Sequence, residues 1–147
     1  MLKNIVIAGP CAAESREQII TSAIHAQRRN VDFMRVSLWK PRTKPGFEGL
    51  GNAGIDLLIE AARFVNPGTE VLLPEQASAV IQRMAKEAPH RKILLWIGAR
   101  NQNHVAQRQI AEVAASYPMA HLLVKNQPWV DEAHWEGVID HVLAGGI

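Results

Sequence analysis

The sequence is poor in the features that mark secreted and membrane proteins. It has one cysteine, Cys11, which excludes an internal disulfide framework and makes a reducing compartment the simplest setting. No apolar run approaches the roughly 18 residues that span a bilayer. The start at Met1 leads into a short apolar segment without the layout of a signal peptide. We therefore expect a cytoplasmic protein that has no membrane segment.

Features of nucleic-acid-binding proteins are also scarce. The net charge is only +2, and lysine and arginine are spread along the chain rather than clustered. Aromatic residues make up 5%, and no basic stretch is interleaved with them as in proteins that stack single strands. The 147 residues are 48% hydrophobic, which is enough for one buried core. We expect a single domain over residues 1–147 and no nucleic-acid partner.

Short apolar runs alternate with helical patterns along the chain. The predicted strands cover residues 5–8, 31–38, 70–73, 92–97 and 120–124. Ser15 and Gln18 have the spacing of a capping box at the start of the first predicted helix. The other predicted helices cover residues 53–64 (ended by Asn66-Pro67-Gly68), 75–87, a segment that follows Asn103, and a last segment that Asp131 caps. Trp129 and Trp135 are predicted to pack around that last helix.

Each apolar run leads into a polar or charged residue. A charged side chain at the end of a buried strand costs free energy unless a group of opposite charge or a hydrogen-bond partner pairs with it. Cations outnumber anions here, so we expect an anionic ligand. The residues are Cys11, Arg35 with Lys40, Glu75, Arg100 and Lys125.

Consecutive strand–helix units predict a parallel sheet, either doubly wound or part of a (β/α)8 barrel. No Gly-x-Gly-x-x-Gly follows the first strand, which argues against the dinucleotide-binding version of the open sheet. Catalytic groups of barrels come from the carboxyl ends of several strands, the distribution seen here. We expect a TIM-barrel type fold with about the first five of its eight β/α units. The outer strands would then be open edges, which favours a homo-oligomer or a complementing C-terminal segment.

Five motifs follow one another along nearly the whole chain. They are Ala8-Gly9-Pro10-Cys11-Ala12-Ala13-Glu14-Ser15, Lys40-Pro41-Arg42-Thr43, Gly46-Phe47-Glu48-Gly49-Leu50-Gly51, Trp96-Ile97-Gly98-Ala99-Arg100 and Val124-Lys125-Asn126. Together they resemble the metal-dependent class I 3-deoxy-D-arabino-heptulosonate 7-phosphate (DAHP) synthases, in particular the short form that is sometimes fused to chorismate mutase. Lys40-Pro41-Arg42-Thr43 is the most specific part of this resemblance.

The resemblance implies condensation of phosphoenolpyruvate with erythrose 4-phosphate at the entry to the shikimate pathway of aromatic amino acid biosynthesis. It implies that a divalent metal (Mn, Fe, Co or Zn type), with Cys11 as one ligand, activates the aldehyde. Arginine makes two-pronged contacts to phosphates and carboxylates, and lysine acts as a movable point charge. By motif position, Arg35 and Lys40 would hold phosphoenolpyruvate, with Lys40 the catalytic residue near the reacting centre. Phosphate contacts would come from Arg42 and Thr43 (erythrose 4-phosphate) and from Arg100 and Lys125 (phosphoenolpyruvate).

The resemblance leaves three possibilities open for this chain. The family's remaining metal ligands, a histidine, a glutamate and an aspartate, have no counterpart before Ile147, so we expect this chain alone to be inactive. The chain could instead be a non-catalytic fragment or assembly module of the same fold. It could also serve a related phosphoenolpyruvate-dependent synthase that uses another aldehyde. Glu75 either orients water or a cation, or stabilises a helix N-terminus.

Overall fold

The structure is a computed structural model that describes residues 4–128 and 130–147. Along these residues five strands alternate with five helices, and one turn of 3-10 helix, Gly51–Gly54, precedes the second helix. The strands are β1 (Ile7–Ala8), β2 (Phe33–Arg35), β3 (Asn66–Glu70), β4 (Ile93–Ile97) and β5 (Ala120–Val124). The helices are α1 (Arg16–Arg28), α2 (Ile55–Ala61), α3 (Pro74–Glu87), α4 (His104–Ala115) and α5 (Glu132–Leu143). Trp129, predicted to pack around α5, lies outside the described residues.

The sheet is parallel, and every strand pairs with the next one in the sequence, in the order β1-β2-β3-β4-β5. A doubly wound sheet reverses its strand order at a switch point. The described strands run in one direction without such a reversal, as in a (β/α)8 barrel. The prediction of five consecutive barrel-type units is therefore confirmed.

Side chains that cap the helices agree with the sequence patterns. The Ser15 hydroxyl accepts a hydrogen bond from the Gln18 backbone N–H at 3.1 Å, and the Gln18 side chain accepts one from Glu14 N–H at 3.0 Å. Asn103 and Asp131 cap α4 and α5 through their side-chain oxygens. Each cap satisfies backbone donors that the first helical turn leaves unpaired.

The helix-facing side of the sheet holds the main core. Alternate residues of the strands point to this side, where they are excluded from solvent and pack against all five helices. Burial of one such aliphatic side chain stabilises the fold by about 1.5–3 kcal/mol. Fully buried members are Met34, Val36, Val71, Ile93 and Leu95 on the strand side, with Ile19, Leu58, Ile81 and Ile110 on the helices. Among the described residues, no helix has the length and apolar character that crossing a bilayer requires.

The third strand differs from the sequence prediction. We expected residues 70–73 as strand and Asn66-Pro67-Gly68 as a helix stop, but β3 is Asn66–Glu70. Two neighbouring strands stabilise this earlier position. Asn66 donates to the Asp32 carbonyl at 3.0 Å and accepts from Lys92 N–H at 3.1 Å, while Gly68 lies where an added Cβ would come within 2.9 Å of the Leu94 carbonyl. Contacts across the sheet thus override the local turn preference of Asn-Pro-Gly.

Candidate functional site

The sheet face opposite the helices carries Arg35, Glu70 and Trp96 at the carboxyl ends of three neighbouring strands. Arg35 is in register with Gly68, and Glu70 with Trp96. Residues in register on parallel strands point to the same face. The shift of β3 therefore places Glu70, rather than a residue near Glu75, beside the other functional side chains.

A first cavity, of about 220 Å³, is lined by two cationic side chains. Arg35 and Lys125 line it together with apolar side chains and Trp96. The Arg35 guanidinium carbon lies 5.4 Å from the centre of the Trp96 ring, within range of a cation–π interaction. Arg35 Nε is buried and makes no hydrogen bond to any residue that the structure describes. An unused buried donor beside a second cation favours an anionic ligand in this cavity.

Lys40 is paired with a buried carboxylate. Its Nζ atom lies 3.3 Å from Glu70 Oε2, and the two side chains are only 17% and 5% exposed. Gly98 makes room for this carboxylate, because a Cβ added there would lie 2.0 Å from Glu70 Oε1. Each of these two charges compensates the other, and removal of one partner would leave an unpaired buried charge, which costs free energy of folding.

The loop after β2 forms a second cavity of about 620 Å³. Four of its lining residues are predicted site residues: Lys40, Arg42, Thr43 and Arg100. Arg100 Nη2 donates to the Thr43 hydroxyl at 3.3 Å, and Arg42 Nε donates to the Phe47 carbonyl. The resemblance groups Arg100 with Lys125, and in the structure Arg100 lies next to Thr43.

Backbone contacts hold this loop against the end of β2. The Lys40 N–H donates to the Glu48 carbonyl at 2.7 Å. Gly49 has a φ of +95°, and a Cβ there would come within 2.1 Å of the Leu38 carbonyl, so the close approach requires glycine. Glu70 links the two cavities, because it bonds Lys40 of the second and neighbours Trp96 of the first.

Cys11 follows β1 and is exposed. Within residues 4–128 and 130–147, no group of three or more His, Cys, Asp or Glu side chains is arranged to hold a metal ion. A transition metal needs several ligands in a defined geometry. The residues that the structure describes therefore do not by themselves fit a complete metal site.

Two residues of the candidate site, Glu70 and Trp96, are not among the site residues that the sequence predicts. Glu75 is exposed in the first turn of α3, where its carboxylate suits the helix dipole. The sequence pattern predicts Glu70 at the start of a strand, whereas Glu70 is the last residue of β3. The sequence signal that could have indicated a buried neighbour such as Glu70 is Gly98, because a glycine just after a buried strand often marks a close approach of another group. Trp96 was read only as part of a motif.

A parallel β/α array with cation-lined cavities at its carboxyl ends is typical of barrel enzymes that act on anionic substrates. Residues 2–135 match the DAHP synthetase I family. The chain belongs to this family.

Individual relatives agree with that assignment. A phospho-2-dehydro-3-deoxyheptonate aldolase of Thermotoga maritima is 35% identical over 97 residues, which are 65% of this chain and 27% of the relative. A crystal structure of that organism's DAHP synthase matches with a TM-score of 0.76 and 27% identity over 97% of this chain and 39% of the other. A truncated form of a T. maritima DAHP synthase matches with a TM-score of 0.71 and 26% identity, over 97% and 48%. The chain thus spans between about a quarter and a half of the length of these relatives.

Proposed function

We propose that the protein contributes the phosphoenolpyruvate-binding half of a DAHP synthase-type condensation with erythrose 4-phosphate. The observation that carries this proposal is the first cavity, where Arg35 and Lys125 flank an apolar floor and Arg35 keeps an unused buried donor. Phosphoenolpyruvate has a phosphate and a carboxylate joined by a small planar unit. It suits two cations on either side of an aromatic and aliphatic surface.

The second cavity suits the phosphate of the aldehyde substrate. Arg42, Thr43 and Arg100 would together offer two guanidinium groups and one hydroxyl to that phosphate. Lys40 lines the second cavity and pairs with Glu70, which is in register with Trp96 of the first cavity. From there it could contact the carboxylate of phosphoenolpyruvate and orient C3 toward the aldehyde. Attack of C3 on the aldehyde carbon, water addition at C2 and loss of phosphate would complete the reaction. Cys11 remains our proposal for one metal ligand, with its partner ligands supplied by other residues.

Calorimetric titration with phosphoenolpyruvate tests the first cavity. The chain should bind it, and Arg35→Leu, which keeps an apolar stem over Trp96 but removes the charge, should weaken binding by about 1.5–3 kcal/mol, the value of a hydrogen bond to a charged group. Arg108→Leu, at an exposed site on α4, is the matched control and should change nothing. Absence of binding by the parent chain, or equal losses in both variants, would count against the proposal.

Arg42→Ala separates the two substrates. Phosphoenolpyruvate binding should remain nearly intact, while binding of erythrose 4-phosphate in the presence of phosphoenolpyruvate should be lost. Equal losses for both ligands would contradict the division of the cavities. A longer or amino-bearing sugar phosphate that binds better than erythrose 4-phosphate would favour the related synthase that uses another aldehyde.

A non-catalytic assembly role is the second candidate, favoured by the apolar edge at β1. Ile5, Val6 and Ile7 are exposed there, and Leu123 is exposed on β5 at the other edge. Exposed apolar strand edges promote pairing with other chains. Sedimentation at several concentrations decides between the candidates: association without any phosphoenolpyruvate binding would support assembly, and a ligand-binding monomer would exclude it.

A further inference from the structure

The loops that follow β3, β4 and β5 meet at one residue, Asn101. Its side-chain amide donates to the Leu72 carbonyl at 3.0 Å, in the loop after β3. Its backbone carbonyl accepts from Gln107 Nε2 at 2.7 Å, on α4, and from Gln127 Nε2 at 3.3 Å, in the loop after β5. One residue therefore joins three loops and a helix through three hydrogen bonds.

Both glutamines are buried polar side chains with each end occupied. Gln107 is fully buried and Gln127 is 5% exposed. The carbonyl oxygen of Gln107 lies 3.1 Å from His104 Nδ1, and that of Gln127 lies 2.8 Å from His134 Nε2. Since both amide nitrogens donate to Asn101, each histidine nitrogen must carry the proton and act as the donor. His104 and His134 thus fix the orientation of the two glutamine amides.

The position of this network matters because the joined loops carry two cations of the candidate site. Arg100 immediately precedes Asn101, and Lys125 lies two residues before Gln127. A buried network in which every member is satisfied rigidifies the segments that it connects. Lys125 and Arg100 face different cavities, so their separation depends on the distance between the two loops.

We propose that Asn101, Gln107 and Gln127 are positioning residues, which lock the loops after β3, β4 and β5 into one unit and thereby set the spacing between Arg100 and Lys125. None of the three is assigned to contact substrate. The functional part of this inference rests on the proposed phosphoenolpyruvate site. The mechanical part, coupling between the loops, does not.

Hydrogen exchange of the chain tests the mechanical part without any ligand. Gln127→Met keeps the length of the side chain but removes its hydrogen bonds. It should speed exchange about tenfold or more in residues 98–103, because a buried donor–acceptor pair no longer restrains local opening. Gln107→Met should do the same in residues 125–127. Gln109→Met, on an exposed position of α4, is the control and should leave both loops unchanged.

The result that overturns the proposal is faster exchange confined to the mutated segment itself, or no change in either loop. Thermal melting identifies a variant that is merely unfolded, and the second glutamine variant then decides. Titration with phosphoenolpyruvate and with inorganic phosphate tests the functional part: Gln127→Met should weaken binding about tenfold when Lys125 is present, and should have no further effect in a Lys125→Ala background that keeps Arg35. Coupled loops with unchanged affinity would refute positioning, whereas a parent chain that binds neither probe would refute the proposed function and leave the coupling established.

Discussion

Replacement of Gly98 by alanine tests the packing of the Lys40–Glu70 pair. The three atoms nearest to an added Cβ all belong to the Glu70 side chain, with Oε1 at 2.0 Å and Cδ at 3.0 Å. The carboxylate must therefore move, and the Lys40 ammonium loses its partner in a site where little water can replace it. The backbone at Gly98 is not in the left-handed region, so alanine itself introduces no torsional strain there.

The expected magnitude follows from two opposing effects. Overpacking of a well-packed site costs about 1–3 kcal/mol. Alanine in place of glycine at a permitted conformation stabilises by about 0.4–1 kcal/mol, because the unfolded chain loses freedom. We expect Gly98→Ala to lower the free energy of unfolding by about 1.3 kcal/mol, the difference between the midpoints of these two ranges. Urea unfolding followed by circular dichroism measures this change.

A matched control and a double-mutant cycle make the test specific. Gly137 lies within α5, and a Cβ added there meets nothing within 4 Å. Gly137→Ala should raise the free energy of unfolding by about 0.5–1 kcal/mol through helix propensity. In a Glu70→Ala background the obstructing atoms are gone, so Gly98→Ala should no longer destabilise the protein and only the small gain from the unfolded state should remain. An equal cost with and without Glu70 would refute the reasoning.

Three further predictions concern stability and binding. Ser15→Ala should destabilise the protein by about 1 kcal/mol through loss of the α1 cap, while Thr21→Ala at an exposed position of the same helix should have little effect in urea unfolding. Burial, and secondarily the charge of Lys92, lower the pKa of His121, so the unfolded state binds more protons than the folded state just below the usual value of 6.5. The free energy of unfolding should therefore be highest above about pH 6.5 and should fall as the pH drops below that value. In a plot of the thermal midpoint against pH, His121→Leu should flatten this part of the curve. A variant that keeps the wild-type slope would contradict the prediction. Glu70→Gln should keep Lys40 partly oriented and weaken phosphoenolpyruvate binding less than Glu70→Ala does, as titration calorimetry can show; the reverse order would exclude an orienting role.

Much of the element order could be predicted from the sequence because its signals are local. Ser15, Asn103 and Asp131 cap the helices that the sequence patterns indicated, and β5 has the bounds that were expected. Capping and hydrophobic periodicity depend on neighbours within one or two turns, so a single sequence contains them. The parallel sheet also followed from the alternation of strands and helices, whereas the barrel-type strand order was predicted from the polar residues at the strand ends.

The position of β3 could not be predicted, because it depends on partners far away in the chain. Asn66, Pro67 and Gly68 have the local chemistry of a turn, yet contacts to Asp32, Lys92 and Leu94 make them the first three residues of a buried strand. This shift of register decides which acidic residue reaches the site. Glu70, rather than Glu75, lies next to Lys40 as a result.

The sequence by itself determined which residue types stand at the strand ends: cations that suit phosphorylated ligands, one cysteine, and glycines at the turns. Only the tertiary structure decided how they are grouped. It divides the cations between two cavities, joins Arg100 to Thr43, and ties the loops of Arg100 and Lys125 together through Asn101. The physical reason is that strand order follows from local patterns, whereas side-chain partners depend on register and on loops that meet across 26 or more residues of sequence.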